Sequence, residues 1–114
     1  MIIGIGVDLV QIDRFQRLFS QNEQLRYRLF GPSEQNMTLT SLAGRFAAKE
    51  ALYKAFNQTR NLSMSEIEIA NDSAGRPYFI MNQNLEKILK GYIVHLSITH
   101  DIGIAMAFVV IEKH

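Results

Sequence analysis

Residues 41–56 read SLAGRFAAKEALYKAF, and the architecture of the chain is worked out from how this stretch folds. Leu42, Phe46, Leu52, Tyr53 and Phe56 recur at helical spacing behind Ser41, which stands as an N-cap, so the stretch predicts a helix with those five side chains on its buried side. At about 100° per residue, Ala43, Ala47, Glu50 and Lys54 fall in one narrow sector, while Arg45 and Lys49 lie well round from it. A strip of small residues thus presents one carboxylate and one ammonium, and small side chains let a bulky ligand come close. Glu50 and Lys54, four apart, equally suit an ordinary surface pair that steadies the helix by roughly a few tenths of a kcal/mol.

Upstream, Ile2 to Asp8 alternates Ile3, Ile5 and Val7 with Gly4, Gly6 and Asp8, which suits a strand in which Asp8 ends a row of glycines. From Asp13 to Phe19, Phe15, Leu18 and Phe19 form an apolar helical stripe beside Arg14 and Arg17, which face outward. The Gly31-Pro32-Ser33 break stops the next segment. Downstream the period changes to two. Ile67 and Ile69 alternate with Glu66 and Glu68, the turn-rich Asn71 to Gly75 follows, and Pro77 to Met81 resumes extended structure, so a hairpin is predicted. Asn84 to Lys90 reads as a short helix closed by Gly91. Tyr92 to Thr99 then pairs with Ile102 to Ile111 across a turn at His100-Asp101, and the absence of charge from Ile102 to Ile111 predicts a strand covered on both faces. The order β-α-α-α-β-β-α-β-β is an α+β arrangement, an antiparallel sheet backed by helices, in a single domain over residues 1–114.

The 114 residues are 47% hydrophobic and 20% charged, ordinary globular composition for one domain. The sequence holds no cysteine, which excludes a disulfide scaffold, thiolate metal sites and a cysteine nucleophile, and leaves the compartment unmarked with the cytoplasm as default. No apolar run is long enough to span a membrane, and the start MIIGIGVDLV lacks the basic region of a signal peptide. Net charge is +1, so no global field recruits nucleic acid, and no aromatic stacking motif points to RNA. Charge is local instead. Residues 14–28 carry Arg14, Arg17, Arg26 and Arg28 against Glu23 alone, and residues 42–60 carry Arg45, Lys49, Lys54 and Arg60 against Glu50 alone. These clusters suit solvated helix faces, an acidic partner or a polyphosphate ligand.

Asp8 and Glu50 are the carboxylates with the most distinctive neighbours, glycines in one case and alanines in the other. Asp8 at a strand-to-helix junction is also suited to capping a helix. His100, read as a turn residue, suits simple solvation. The Gly4-Ile5-Gly6 triplet is no dinucleotide fingerprint, since position 9 is leucine.

GIGVDLVQIDRF at 4–15, LAGRFAAKEALYKAF at 42–56, the EIEI hairpin with its GRP at 66–77, and HLSITHD at 95–101 resemble, in order and over nearly the whole chain, the signatures of holo-[acyl-carrier-protein] synthase, the small class of 4′-phosphopantetheinyl transferase. The resemblance implies the fold of that family and transfer of the 4′-phosphopantetheine arm of coenzyme A to a serine of an apo acyl carrier protein or carrier domain. Adenosine 3′,5′-bisphosphate is released, and the step supports fatty acid biosynthesis. It implies Mg²⁺ held by Asp8 and Glu50, a pair suited to a hard cation that also takes substrate phosphate oxygens and water. Glu50 and Lys54 become the catalytic residues, with Glu50 or a water it holds taking the serine proton and Lys54 pairing with phosphate oxygens. Arg45, Lys49, Lys54 and His100 are implied as the coenzyme A contacts, and Arg14, Arg17 and Arg28 as the docking face for an acidic carrier. The family's trimeric assembly, with coenzyme A in clefts between subunits, is implied as well.

The chain departs from the family pattern at Thr99, where serine is usual, and at Arg76, where lysine is common. The stretch from Glu34 to Ser41 is also shorter than the usual connection. A non-catalytic carrier-protein or coenzyme A binding module of the same fold is the competing reading, and the presence of both Asp8 and Glu50 opposes it, since such a module needs no metal.

Overall fold

The computed structural model describes residues 1–114. In chain order the elements are β1 (Ile2–Gln11), α1 (Ile12–Gln21), α2 (Leu25–Leu29), α3 (Leu39–Ala55), β2 (Ile69–Asn71), β3 (Pro77–Phe79), α4 (Gln83–Ile88), β4 (Tyr92–Asp101) and β5 (Ile104–Lys113), with one 3-10 turn (Pro32–Glu34) between α2 and α3 and two (Asn57–Asn61 and Met64–Glu66) between α3 and β2. Strands β1, β5 and β4 form an antiparallel sheet in that order, and β2 with β3 a separate small hairpin, so the predicted α+β class and element order hold.

Helix α3 packs across the three-stranded sheet, and the small residues of both elements explain how closely. Ala47, Ala48, Ala51 and Ala55 are buried against β1 and β5. A Cβ on Gly4 would lie 2.0 Å from the carbonyl oxygen of Ala55, and one on Gly6 would lie 1.9 Å from that of Ala51. The glycines and alanines therefore admit the sheet to the helix, and the expectation that the alanine strip receives a ligand is corrected. The alternation of β1 is right in period, with its glycine side facing the core. Its Ile5 is 58% exposed on the other side, next to Val7 and Leu9.

Strand β5 is corrected in the same sense. Ala105, Ala107, Val109 and Ile111 are buried under α3, whereas Ile104, Met106 and Phe108 are exposed, so the chain itself covers one face of the strand and leaves the other apolar and open. The turn between β4 and β5 lies at Ile102-Gly103, two residues beyond the predicted His100-Asp101. Asp101 pairs with Ile104, and Ile102 and Gly103 take φ of 42° and 76°, as a two-residue primed turn requires. His100 consequently sits within β4.

The core divides into two clusters joined along α3. Leu52, Ile67, Ile69, Phe79, Leu85, Val109 and Ile111 fill the larger, and Phe15, Phe19, Phe30, Leu42 and Ala105 the smaller, where Phe15 and Phe19 stack at 4.6 Å. Leu18 is 50% exposed and leaves the predicted α1 stripe, and Phe46 and Tyr53 are only half-buried. The N-cap of α3 is Thr38, whose hydroxyl accepts the Ser41 N–H at 3.2 Å, in place of the predicted Ser41.

Candidate active site

Two groups of polar side chains flank α3. The first lies at its C-terminal end, where β1 crosses. Lys54 Nζ donates to Asp8 Oδ1 at 3.0 Å and to the Val7 carbonyl at 3.1 Å, tying the last turn of α3 to the strand. This settles two alternatives. Lys54 pairs across to Asp8 and not with Glu50, and Asp8 caps no helix, because Gln11 holds the N-cap position of α1. Glu50, half-buried one turn before Lys54, enters none of the ion pairs of the chain. Its charge is felt by Tyr53, whose hydroxyl donates to the Leu62 carbonyl at 2.7 Å and whose pKa is raised, first by burial and then by Glu50.

Asp8 and Glu50 are hard carboxylate donors, and no group of three or more acidic or histidine side chains surrounds them. That donor set fits a divalent cation that completes its shell with phosphate oxygens and water, and not one caged wholly by protein.

The second group lines a cleft of about 330 Å³ at the other end of α3, between Ser41, Gly44 and Arg45 on the helix, Asn71 and Gly75 on the β2–β3 hairpin, and His100 on β4. Arg45 is nearly buried, donating through Nε to the Ile69 carbonyl at 3.3 Å, through one terminal nitrogen to Ser41 Oγ at 2.6 Å and through the other to Asn71 Oδ1 at 2.7 Å. Burial lowers its pKa, and Glu34 opposes the shift. Arg45 and His100 therefore meet in one cleft.

Lys49 does not join them. Its Nζ is buried among Glu34 Oε1 at 2.7 Å, the Leu29 carbonyl at 2.8 Å and the Met64 carbonyl at 3.0 Å, over the ring of Phe30. Its expected contact with coenzyme A is corrected, because an ammonium enclosed in this way reaches no ligand. Burial lowers the pKa of Lys49, with Glu34 acting against the shift. The sequence reading missed Glu34, Asn71 and Gly75. The only local signal for Glu34 was its place after Gly31-Pro32-Ser33, where its Oε1 accepts the Gly31 N–H at 3.1 Å to close a turn.

The arginines of the expected docking face are exposed: Arg14 and Arg17 on α1 and Arg28 on α2. Arg14 borders an apolar groove formed by Leu9, Phe15, Leu18, Phe46 and Ile104, which charge patterning alone did not reveal.

Residues 4–107 match the family described as the 4′-phosphopantetheinyl transferase superfamily. The chain belongs to that family. A holo-[acyl-carrier-protein] synthase of Leifsonia xyli is 42% identical over 99% of this chain and 98% of its own length. One from Clavibacter sepedonicus is 43% identical over 98% and 97%. Among solved structures, the holo-[acyl-carrier-protein] synthase of Neisseria meningitidis superposes with a TM-score of 0.87 at 34% identity, covering 99% of this chain and 100% of that one. The Bacillus anthracis synthase, solved in complex with coenzyme A (3′,5′-ADP), superposes with a TM-score of 0.82 at 35% identity over 100% and 99%. Within the phosphopantetheinyl transferase family, then, this chain has its polar residues in two groups on either side of one helix.

Proposed function

We propose that this transferase moves the 4′-phosphopantetheine arm of coenzyme A to a serine of an apo acyl carrier protein or carrier domain, in support of fatty acid biosynthesis, using Asp8, Glu50 and Lys54 for the chemistry and Arg45 and His100 for the nucleotide end of the substrate. The observation that carries the assignment of chemistry is the seam where Lys54 bridges to Asp8 beside the unpaired carboxylate of Glu50. Asp8 and Glu50 would hold Mg²⁺, which when bound neutralises charge on the pyrophosphate and the leaving bisphosphate. Lys54, whose side chain is about half exposed, supplies a further point charge to the phosphate oxygens. Glu50 takes the serine proton directly or through one water. The serine oxygen forms its bond to the phosphorus that carries the pantetheine arm as the bond from that phosphorus to the bridging oxygen breaks, and adenosine 3′,5′-bisphosphate departs.

The two groups of residues argue for assembly. Around the axis of α3, Glu50 and Lys54 stand about 140° and 180° from Arg45, so one coenzyme A does not meet both groups on a single chain. A homotrimer, in which the cleft of one copy faces the carboxylates of the next, resolves this, and the open apolar face formed by Ile5, Val7, Leu9, Met106 and Phe108 supplies a surface for it. No helix is long and apolar enough to cross a membrane. The proposal places a single domain, residues 1–114, in the cytoplasm with its substrates.

Incubation of the protein with apo carrier, Mg²⁺ and coenzyme A, followed by intact mass measurement of the carrier, tests the activity. A gain of one phosphopantetheine arm that chelation abolishes is expected, and a carrier of unchanged mass overturns the assignment.

A further inference from the structure

The hairpin wall of the Arg45 cleft hangs on a carboxylate that never meets solvent. Glu34 is fully buried, and its two oxygens divide the work. Oε1 accepts from Lys49 Nζ at 2.7 Å and from the Gly31 N–H at 3.1 Å, while Oε2 accepts from the Ile69 N–H at 3.2 Å and lies 3.8 Å from Arg45 Nε. Ile69, the first residue of β2, gives its carbonyl to Arg45 Nε at 3.3 Å. One residue of the hairpin is thus gripped through both its N–H and its C=O. The grip continues outward, since Arg45 holds Asn71 Oδ1 at 2.7 Å and Asn71 Nδ2 donates to the Gly75 carbonyl at 2.9 Å. Three of the five N–H donors of the Arg45 guanidinium are spent in this lattice and two remain for a ligand.

We propose that Glu34, with buried Lys49 as its counter-ion, is a positioning residue for substrate binding. It sets β2 against α3 so that Arg45, Asn71 and Gly75 present a prearranged wall to the phosphate-bearing nucleotide end of coenzyme A. The inference rests on the assignment of this cleft to coenzyme A. Glu34 and Lys49 themselves touch no ligand. A buried ion pair is seldom retained for net stability, because a neutral pair of similar volume commonly holds the fold as well. What a neutral pair cannot reproduce here is a group that accepts hydrogen bonds on both of its oxygens.

That difference separates positioning from folding. Steady-state kinetics with coenzyme A and apo carrier varied in turn are compared for the wild type, Arg45→Ala, the neutral double variant Glu34→Gln/Lys49→Met, and Glu34→Asp, whose shorter arm keeps the charge but does not span from Lys49 to Ile69. The expected result is that the double variant and Glu34→Asp each raise KM for coenzyme A about tenfold, the loss of roughly one hydrogen bond to a charged group. The carrier KM stays at its wild-type value. A merely structural role lowers the active fraction, and so kcat, and leaves KM for coenzyme A alone. If Arg45→Ala raises that KM while both Glu34 variants keep the wild-type value, the positioning role is overturned and the cleft assignment stands. If Arg45→Ala leaves it unchanged, both fall. Should the double variant not fold, Glu34→Asp decides by the same criterion.

Discussion

Replacing Gly6 with alanine is the sharpest test of how β1 and α3 are joined. The added Cβ would stand 1.9 Å from the Ala51 carbonyl oxygen and 2.9 Å from both the Ala51 carbonyl carbon and the Ala55 nitrogen, all backbone atoms with no rotamer to change. Contacts under 3.0 Å essentially do not occur for a real Cβ, so strand and helix must part by about 1.1 Å or more. A gap of that order forfeits a quarter to a half of each dispersion contact across the seam, and the seam includes the buried faces of Ala47, Ala51 and Ala55. Overpacking ordinarily costs about 1 to 3 kcal/mol, and with rigid backbone on both sides the upper end applies, about 3 kcal/mol. For a domain of this size that corresponds to a fall in Tm of about 12 °C, with a matching drop in the urea midpoint at unchanged slope. Activity measured well below the transition falls too, because Asp8 is two residues along from Gly6 and its 3.0 Å bond to Lys54 spans the same seam. A Gly6→Ala variant melting within about 2 °C of the wild type would refute the close-approach argument.

Glu50→Gln and Asp8→Asn are each expected to reduce transfer at least about a hundredfold with the fold intact by circular dichroism, and the double variant to be little worse than either if, as proposed, both carboxylates serve one ion. Additive losses count against a shared cation. Arg14→Glu with Arg17→Glu should raise KM for the carrier roughly tenfold, with KM for coenzyme A unchanged, and the wild-type carrier KM should climb with ionic strength; carrier kinetics indifferent to both place the docking face elsewhere. Tyr53 has a folded pKa above its ordinary value near 10, so its contribution to stability is full below about pH 10 and is lost as pH rises through the raised folded value. Tyr53→Phe should therefore be less stable by about 1 kcal/mol at neutral pH, leaving the Leu62 carbonyl unpaired, and should lose less on going from pH 9 to 11; identical alkaline limbs in urea melts contradict this. Phe108→Asp on the open sheet face should convert a trimer into monomers by sedimentation velocity, and a wild-type protein that is already monomeric refutes the assembly.

Local patterns carried the elements. The helical period behind the GRFAAKEA segment, the alternation of β1 and the turn residues from Asn71 to Gly75 each depend on neighbours within a few positions, and all three elements appear at nearly their expected bounds. Asp8 and Glu50 stand out in the sequence as carboxylates because small residues surround both. The purpose of those small residues was not: glycine and alanine look the same in a sequence whether a ligand or another backbone approaches them, and here the backbones of α3 and β1 approach each other. The β4–β5 turn slipped by two residues because Ile102 carries none of the chemistry of the Asn-Gly turns that local reasoning knows.

Lys49 shows the limit most plainly. Its charge and its neighbours in the sequence are those of a ligand contact, and it lies on the same helix as Arg45 and Lys54. Only the tertiary structure brings Glu34, fifteen residues earlier, to 2.7 Å from its ammonium and closes the Leu29 and Met64 carbonyls around it. Family and activity class were determined by the sequence itself, since the motifs that carry them are residue types in fixed local order. Which cations line a cleft or the surface and which are locked in the interior was decided by the packing of distant segments, because the fate of a charge depends on whether a partner and water can reach it.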